Sequence, residues 1–380
     1  MTNKFTTFLC CTFALLFTLN TNAQQNLTGV ITHDGLERDY RIHFPPNFDS
    51  ADELPLVFNL HGYTSNASQQ ELYSAMNGVS DDGNFIVCYP NGIDNSWNVG
   101  LPGGSSADDV GFLNDLVDTL HSLYNVNLNR VYSCGMSNGG YMSYKLACES
   151  SDRIAAIASV TGSIVPGNED DCEPTRAVPV MEIHGTNDPT VAYDGSFFAL
   201  PIEEVVQFWV DKNDCLSEPD TIDVPNINTQ DGSTAQRIEY LNCDDEAEVV
   251  FYKVQNGGHT WPGAPIALGT TNYDFDASIE IWEFFNRFSL DGAITSVENE
   301  VQVVDIQLFP NPATDRVVLK NLPSEVRDIR FLDATGRVVK QVNVVDGEYL
   351  ELSIEELEVG FYWVLVSGER LVESLKMVKH

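Results

Sequence analysis

The strongest constraint in this chain is the spacing of its short apolar runs. Leu56 to Leu60, Phe85 to Tyr89, Val131 to Cys134, Ile154 to Val160 and Val178 to Ile183 are each short enough to be a strand, and they leave room for helices between several of them. Apolar residues without alternation mean strands buried on both faces, which points to a largely parallel sheet covered by helices. The covering helices have their own pattern. Val110, Leu113, Leu116, Val117, Leu120 and Leu123 recur at helical spacing within Asp108 to Tyr124, and Ile202 to Val210 and Ala277 to Phe288 repeat it. Before the sheet, residues 27 to 45 alternate on both sides of Asp34-Gly35, a dipeptide suited to the positive φ angles of a hairpin turn. A last strand, Val249 to Val254, runs into Asn256-Gly257-Gly258-His259, and the domain closes near Leu290.

The 380 residues allow one domain of about 250 residues plus a smaller one. Residues 1 to 23 combine Lys4, an apolar run from Phe8 to Phe17 and a small-residue site at Thr21-Asn22-Ala23, which together read as a removable signal peptide. The run is shorter than the roughly 20 apolar residues needed to span a bilayer, so no stable membrane span is expected. Export makes disulfides the expectation for Cys88, Cys134, Cys148, Cys172, Cys215 and Cys243. Proximity favours Cys148 with Cys172 and Cys215 with Cys243, while Cys88 and Cys134 sit in apolar runs where free thiols fit equally well. A formal charge of -36 repels phosphate backbones and anionic membranes, which argues against nucleic acid as a partner.

Residues 291 to 304 are small, acidic and aperiodic, as a linker between folded units would be. Residues 305 to 380 then show strand-like stretches, Arg316 to Leu319, Ile329 to Leu332, Val338 to Val344 and Tyr362 to Val366, separated by glycines. This is expected to be a small all-β sandwich. It has no cysteine and no histidine before His380, so the chemistry belongs to residues 24 to 290.

Gly135-Met136-Ser137-Asn138-Gly139-Gly140 follows one of the apolar strands and precedes a helical stretch, the context that G-x-S-x-G requires in the α/β-hydrolase fold. A serine hydroxyl is a weak nucleophile, so it needs a histidine base held by a carboxylate, in the order serine, acid, histidine. Downstream of Ser137 the histidines are His184, His259 and His380. His259, on a Gly-Gly loop after the last sheet strand, is the expected base, and His184, directly off an earlier strand, reads as structural. Asp188, on the loop after the penultimate strand, is the expected acid, with Asp194 the alternative. The backbone N–H groups of Asn138 and Tyr63 are candidates for the oxyanion hole, Gly62 and Thr64 being alternatives to Tyr63. Trp97 and Trp261 are candidates for an aromatic wall to the cleft, or for core packing. Asp108 and Asp109 are explained by helix capping. The scattered histidines form no metal-binding motif, and no cofactor is required.

These motifs, with Leu60-His61-Gly62, Tyr89-Pro90-Asn91-Gly92, His184-Gly185-Thr186-Asn187-Asp188 and Gly257-Gly258-His259-Thr260-Trp261-Pro262-Gly263, resemble the polyhydroxybutyrate depolymerase-like esterases, close relatives of feruloyl and acetylxylan esterases. The resemblance covers roughly residues 28 to 288 and implies the triad Ser137, Asp188 and His259. Many polymer-degrading relatives have a cysteine after the His-Gly of the oxyanion loop, where this chain has Tyr63, so ester hydrolysis is implied more firmly than polymer depolymerisation. Phe309-Pro310-Asn311-Pro312, Gly336-Arg337-Val338-Val339, Gly360-Phe361-Tyr362 and Lys376-Met377-Val378-Lys379 resemble a type IX secretion sorting domain. That resemblance implies the secretion machinery as a partner, an extracellular or cell-surface location and later removal of the domain. By analogy it favours esters decorating plant polysaccharides. The expected reaction is hydrolysis of carboxylic esters, small or polymeric. The rivals are a serine peptidase of the same fold and a surface glycan-binding protein using Trp97, Trp261 and Tyr63.

Overall fold

A computed structural model describes residues 26–46, 48–216, 218–293, 306–322, 326–332, 338–344, 349–368 and 372–380. The expected signal peptide and most of the expected linker lie outside the described residues. The chain divides into two compact units, one up to Ile294 and one from Thr295.

The first unit is built on one sheet. Its strands are β1 (Asn26–His33), β2 (Leu36–His43), β3 (Leu56–Leu60), β4 (Ile86–Pro90), β5 (Val131–Met136), β6 (Ala156–Val160), β7 (Val180–Gly185), β8 (Asp220–Asp223), β9 (Thr234–Tyr240) and β10 (Val249–Gln255). They lie in the order β1-β2-β4-β3-β5-β6-β7-β10-β9-β8. The run from β4 to β10 is parallel throughout, and both edges are antiparallel, β1 and β2 on one side and β9 and β8 on the other.

The helices are α1 (Ala67–Ser74), α2 (Met76–Gly83), α3 (Asp109–Tyr124), α4 (Asn138–Glu149), α5 (Ile202–Lys212) and α6 (Ala277–Phe285). Successive strand side chains point to opposite faces. Leu56, Phe58 and Leu60 therefore pack with α3, α4 and α5, while Val57 packs with Met76 of α2 and Ile281 and Phe285 of α6. Two cores sandwich the sheet, as the uninterrupted apolar runs require.

Two disulfides, Cys148 to Cys172 and Cys215 to Cys243, fasten loops on this unit. Cys88 and Cys134 are free and buried, and burial pushes both thiols up, which leaves them protonated and inert. Asp108 caps α3 by accepting the Gly111 N–H at 3.0 Å. Asp109 does something capping does not explain: it is buried, 2.6 Å from the equally buried Arg38, and it accepts the Asn98 N–H at 2.7 Å.

A short hairpin, β11 (Phe288–Ser289) with β12 (Gly292–Ala293), ends the unit. In the second unit β13 (Gln307–Phe309), β14 (Arg316–Lys320) and β17 (Tyr349–Ser353) form one sheet; β15 (Val326–Leu332), β16 (Val338–Asn343), β18 (Gly360–Gly368) and β19 (Val372–Lys379) form another. Val317 and Leu319 from the first sheet and Ile329, Phe331, Val364 and Val366 from the second share one core, which makes the unit a small β-sandwich. Among the described residues no helix is long and apolar enough to cross a membrane.

Candidate active site

Ser137 stands between β5 and α4 with φ 54° and ψ -120°, a conformation that costs a non-glycine residue about 1–3 kcal/mol. The surrounding glycines make this turn possible. A β-carbon on Gly135 would overlap Gly139, and one on Gly139 would overlap the Leu60 carbonyl. With no side chains there, β5, α4 and the end of β3 approach closely and leave the Ser137 side chain half-buried at the start of a helix.

The loops after β7 and β10 come next. These strands are parallel neighbours, so both loops leave the same edge of the sheet. Thr186 N donates to Val254 O at 2.9 Å, Asn187 N to Gly257 O at 3.0 Å and Asn256 N to Thr186 Oγ1 at 2.9 Å. A β-carbon at Gly185 would strike the Gly257 carbonyl. So zipped, the loops set His259 Nδ1 2.7 Å from Asp188 Oδ2. The other oxygen of Asp188 accepts the N–H groups of Thr190 at 2.7 Å and Val191 at 2.9 Å, which leaves the carboxylate no freedom to turn. With the Nδ1 proton directed at Asp188, His259 keeps a lone pair on Nε2. Asp194, the alternative acid, has no recorded bond to His259 among the described residues.

The loop after β3 lies against the serine. A β-carbon on Gly62 would be 3.4 Å from both the Ser137 β-carbon and the Met136 carbonyl. Thr64 N is committed to Asn95 O at 2.8 Å, which removes it from the candidate oxyanion donors. The Tyr63 and Asn138 N–H groups have no acceptor among the described residues. His61 anchors this loop from inside: its Nδ1 donates to Gly62 O at 2.8 Å and its Nε2 accepts the Gly92 N–H at 3.0 Å. That pattern requires a neutral ring, and burial pushes the imidazole down to about 4.

A cavity of about 220 Å³ opens at Ser137 and Asn138 and is walled by Tyr63, Leu101, Pro102, Tyr141, Val191 and Phe198. Phe197 stacks edge-on to Phe198 at 5.1 Å and is 84% exposed.

Residues 38–199 match the family described as "Esterase PHB depolymerase", and residues 307–380 match "Secretion system C-terminal sorting domain". Over residues 38–199 the chain is similar to that esterase family. A probable feruloyl esterase C of Aspergillus niger is 27% identical to the esterase over 254 residues, 65% of this chain and 83% of that one. A bifunctional acetylxylan esterase/xylanase of Neocallimastix patriciarum is 26% identical over 267 residues, 70% of this chain and 35% of the relative's length. An acetyl xylan esterase structure from Aspergillus awamori superimposes with a TM-score of 0.50 at 17% identity, over 68% of this chain and 99% of that one, and shares the fold. The esterase is a carboxylic ester hydrolase.

Of the two readings of the tryptophans, cleft wall and core packing, burial selects core packing. Trp97 and Trp261 are completely buried, so neither offers a face to a substrate. Trp97 Nε1 donates to His61 O at 2.9 Å and Trp97 N donates to Asn138 Oδ1 at 2.7 Å, which ties the loop after β3 to the residue after the serine. Trp261 Nε1 donates to Ser278 Oγ at 3.1 Å and moors the His259 loop to α6. Both are scaffolding, and burial of the two indoles removes the platform that a glycan-binding reading needs. The aromatic lining of the cavity comes from Tyr63, Tyr141 and Phe198; Phe198 was missed, and the Phe197-Phe198 pair after Gly195-Ser196 was the signal available in the sequence.

One grouping of metal-ligating side chains follows no sequence motif because it is assembled by folding. His33, Asp34 and Asp108 bring ligand atoms within 4.8 Å of one another where the β1–β2 turn meets α3. His33 Nδ1 is bonded to Asp115 at 2.6 Å and its Nε2 lies 3.4 Å from Asp108, so ion pairing with a protonated imidazole accounts for the grouping. No residue of the candidate triad belongs to it.

Proposed function

We propose that the esterase is a secreted serine hydrolase in which Ser137 attacks the ester carbonyl, His259 takes the proton and returns it to the leaving alcohol, and Asp188 orients His259. The amides of Tyr63 and Asn138 stabilise the tetrahedral oxyanion, and an acyl-enzyme on Ser137 is then hydrolysed by water. The observation that carries this reading is the 2.7 Å bond from His259 to a fully constrained Asp188, taken with the strained turn that holds Ser137 at φ 54°.

The acyl group is an aromatic one, of the hydroxycinnamoyl kind esterified to plant polysaccharides. The cavity at Ser137 supports this choice, because Tyr63, Tyr141 and Phe198 give it an aromatic lining that an acetyl group would leave unfilled. The matched sorting domain supports export by a type IX secretion pathway, with residues 1 to 23 removed first, residues 291 to 304 serving as a linker and residues 305 to 380 as the sorting unit. No metal or cofactor enters the mechanism.

Initial rates on methyl ferulate, 4-nitrophenyl acetate, acetylated xylan and polyhydroxybutyrate test the reading. Methyl ferulate is expected to have the highest kcat/KM, and Ser137→Ala is expected to lower it by at least about 10⁴-fold. Undiminished turnover by Ser137→Ala would sink the mechanism, and a preference for acetate over ferulate would sink the acyl assignment.

A further inference from the structure

Strand alternation on β7 turns Val180, Glu182 and His184 toward the core beneath α4 and α5, so an acid and a base are buried where apolar side chains would serve. Burying them is costly unless each finds a partner. His184 Nδ1 lies 2.8 Å from Glu182 Oε1, and the Tyr144 hydroxyl donates to Glu182 Oε2 at 2.7 Å. On its other side, His184 Nε2 is 2.9 Å from Val191 O and 3.5 Å from Asp188 Oδ2.

We propose that His184 is a positioning residue for the catalytic acid: held as an imidazolium by Glu182, it fastens the Asp188 loop and directs a buried positive charge at the Asp188 carboxylate. The proposal rests on the triad reading given above.

The hydrogen-bond inventory carries most of the argument. A carbonyl only accepts, so the bond to Val191 O requires a proton on Nε2. The remaining proton lies between Nδ1 and Glu182, giving either imidazolium and carboxylate or imidazole and carboxylic acid. The Tyr144 hydroxyl, donating to the second oxygen of Glu182, favours the carboxylate. Asp188, 3.5 Å away, adds a second negative group facing the ring. Burial raises the Glu182 carboxyl and by itself would lower the imidazole, both toward the neutral pair, but the Glu182 hydrogen bond and charge, the Val191 carbonyl and the Asp188 charge outweigh burial at the ring and hold His184 above the ordinary value. The other titratable groups nearby compensate one another: Tyr193, ring to ring with His184, is bonded to Glu203, which pairs at 2.7 Å with Lys253 on β10.

The mechanical consequence is that Val191 is held twice, by its carbonyl to His184 and by its N–H to Asp188 Oδ1. The electrostatic one is that part of the Asp188 charge is offset, so protonation of the catalytic base is disfavoured and activity extends to lower pH.

Glu182→Gln separates the two effects. A glutamine amide donates to neutral His184, and its carbonyl accepts from Tyr144, so every hydrogen bond persists and only the charge pair is lost. The acid limb of the kcat/KM profile is expected to move up by ~1 pH unit, with the plateau held within about threefold. Tyr144→Phe is expected to move it the same way by less. Imidazole ¹⁵N NMR of the intact protein at pH 8 reads the pair without turnover, and it is expected to show both His184 nitrogens protonated in the parent and one in Glu182→Gln. A parent ring with an unprotonated nitrogen, or an acid limb unmoved in a folded variant, would overturn the proposal. Loss of the triad reading would show differently, as full activity in Ser137→Ala.

Discussion

Ser137 and His61 show how much a single side chain depends on what surrounds it. Ser137 holds its strained conformation because Gly135, Gly139 and Leu60 close around it, and the motif made this legible in sequence since each glycine stands where a side chain would collide. His61 was legible only as part of His61-Gly62, its role as an internal strut being hidden until Gly92 and Trp97 were seen to bond it. Its pKa, about 4 in the fold against 6.5 ordinarily, gives stability a pH dependence. A depressed value means that the unfolded chain takes up the proton first. The contribution of His61 is therefore complete above about pH 6.5 and is lost as pH falls toward 4. Urea unfolding at pH 7 and pH 4.5 should show the parent losing about 2 kcal/mol more than His61→Gln, whose amide can both donate and accept. Trp97 and Trp261 read equally as cleft wall or core, because an aromatic beside a candidate catalytic motif looks the same in sequence whether it faces substrate or braces the loop from behind. Their buried N–H bonds decide the matter.

Among the elements, those with strong apolar patterns were readable and those without were not. The strands β3 to β7 and β10 and the helices α3, α5 and α6 lie within a few residues of their expected positions, because each presents an unbroken or helically spaced apolar face. The helices α1 and α2 are only eight residues long with few buried residues, and all of β8 is exposed, so little in their sequence separates them from loop. Antiparallel edges on both sides of the parallel sheet were equally invisible beyond the first hairpin. The two disulfides pair the cysteines that proximity favoured, which is what loops closed locally on a finished sheet produce. Cys148 and Cys172 are 24 residues apart, and closing such a loop restricts the unfolded chain by ~3 kcal/mol. Replacing both with serine should lower the Tm by roughly 10 °C while kcat at 25 °C is retained, measured by calorimetry and by ester hydrolysis.

For the whole molecule the main fact is that each unit has its own core. A chain ending at Ala293 should therefore keep kcat/KM within about twofold of the full-length protein, and calorimetry of the full chain should resolve two transitions; a single merged transition would count against independent units. Short motifs mark both the candidate triad and the region that matches a sorting domain. The cavity wall was not so marked, since Leu101 and Pro102 lie on one loop and Phe198 on another that only the fold brings together. That separation sets how such an enzyme can diversify. The candidate acid and base ride on two loops locked to each other at Gly185 and Gly257; of the cavity wall, Val191 and Phe198 share the loop of Asp188, whereas Tyr63, Leu101 and Pro102 stand outside that lock. Descendants of this scaffold can lengthen or rewrite the segment around Leu101, acquiring new substrates by drift and selection, while the two locked loops pass on untouched.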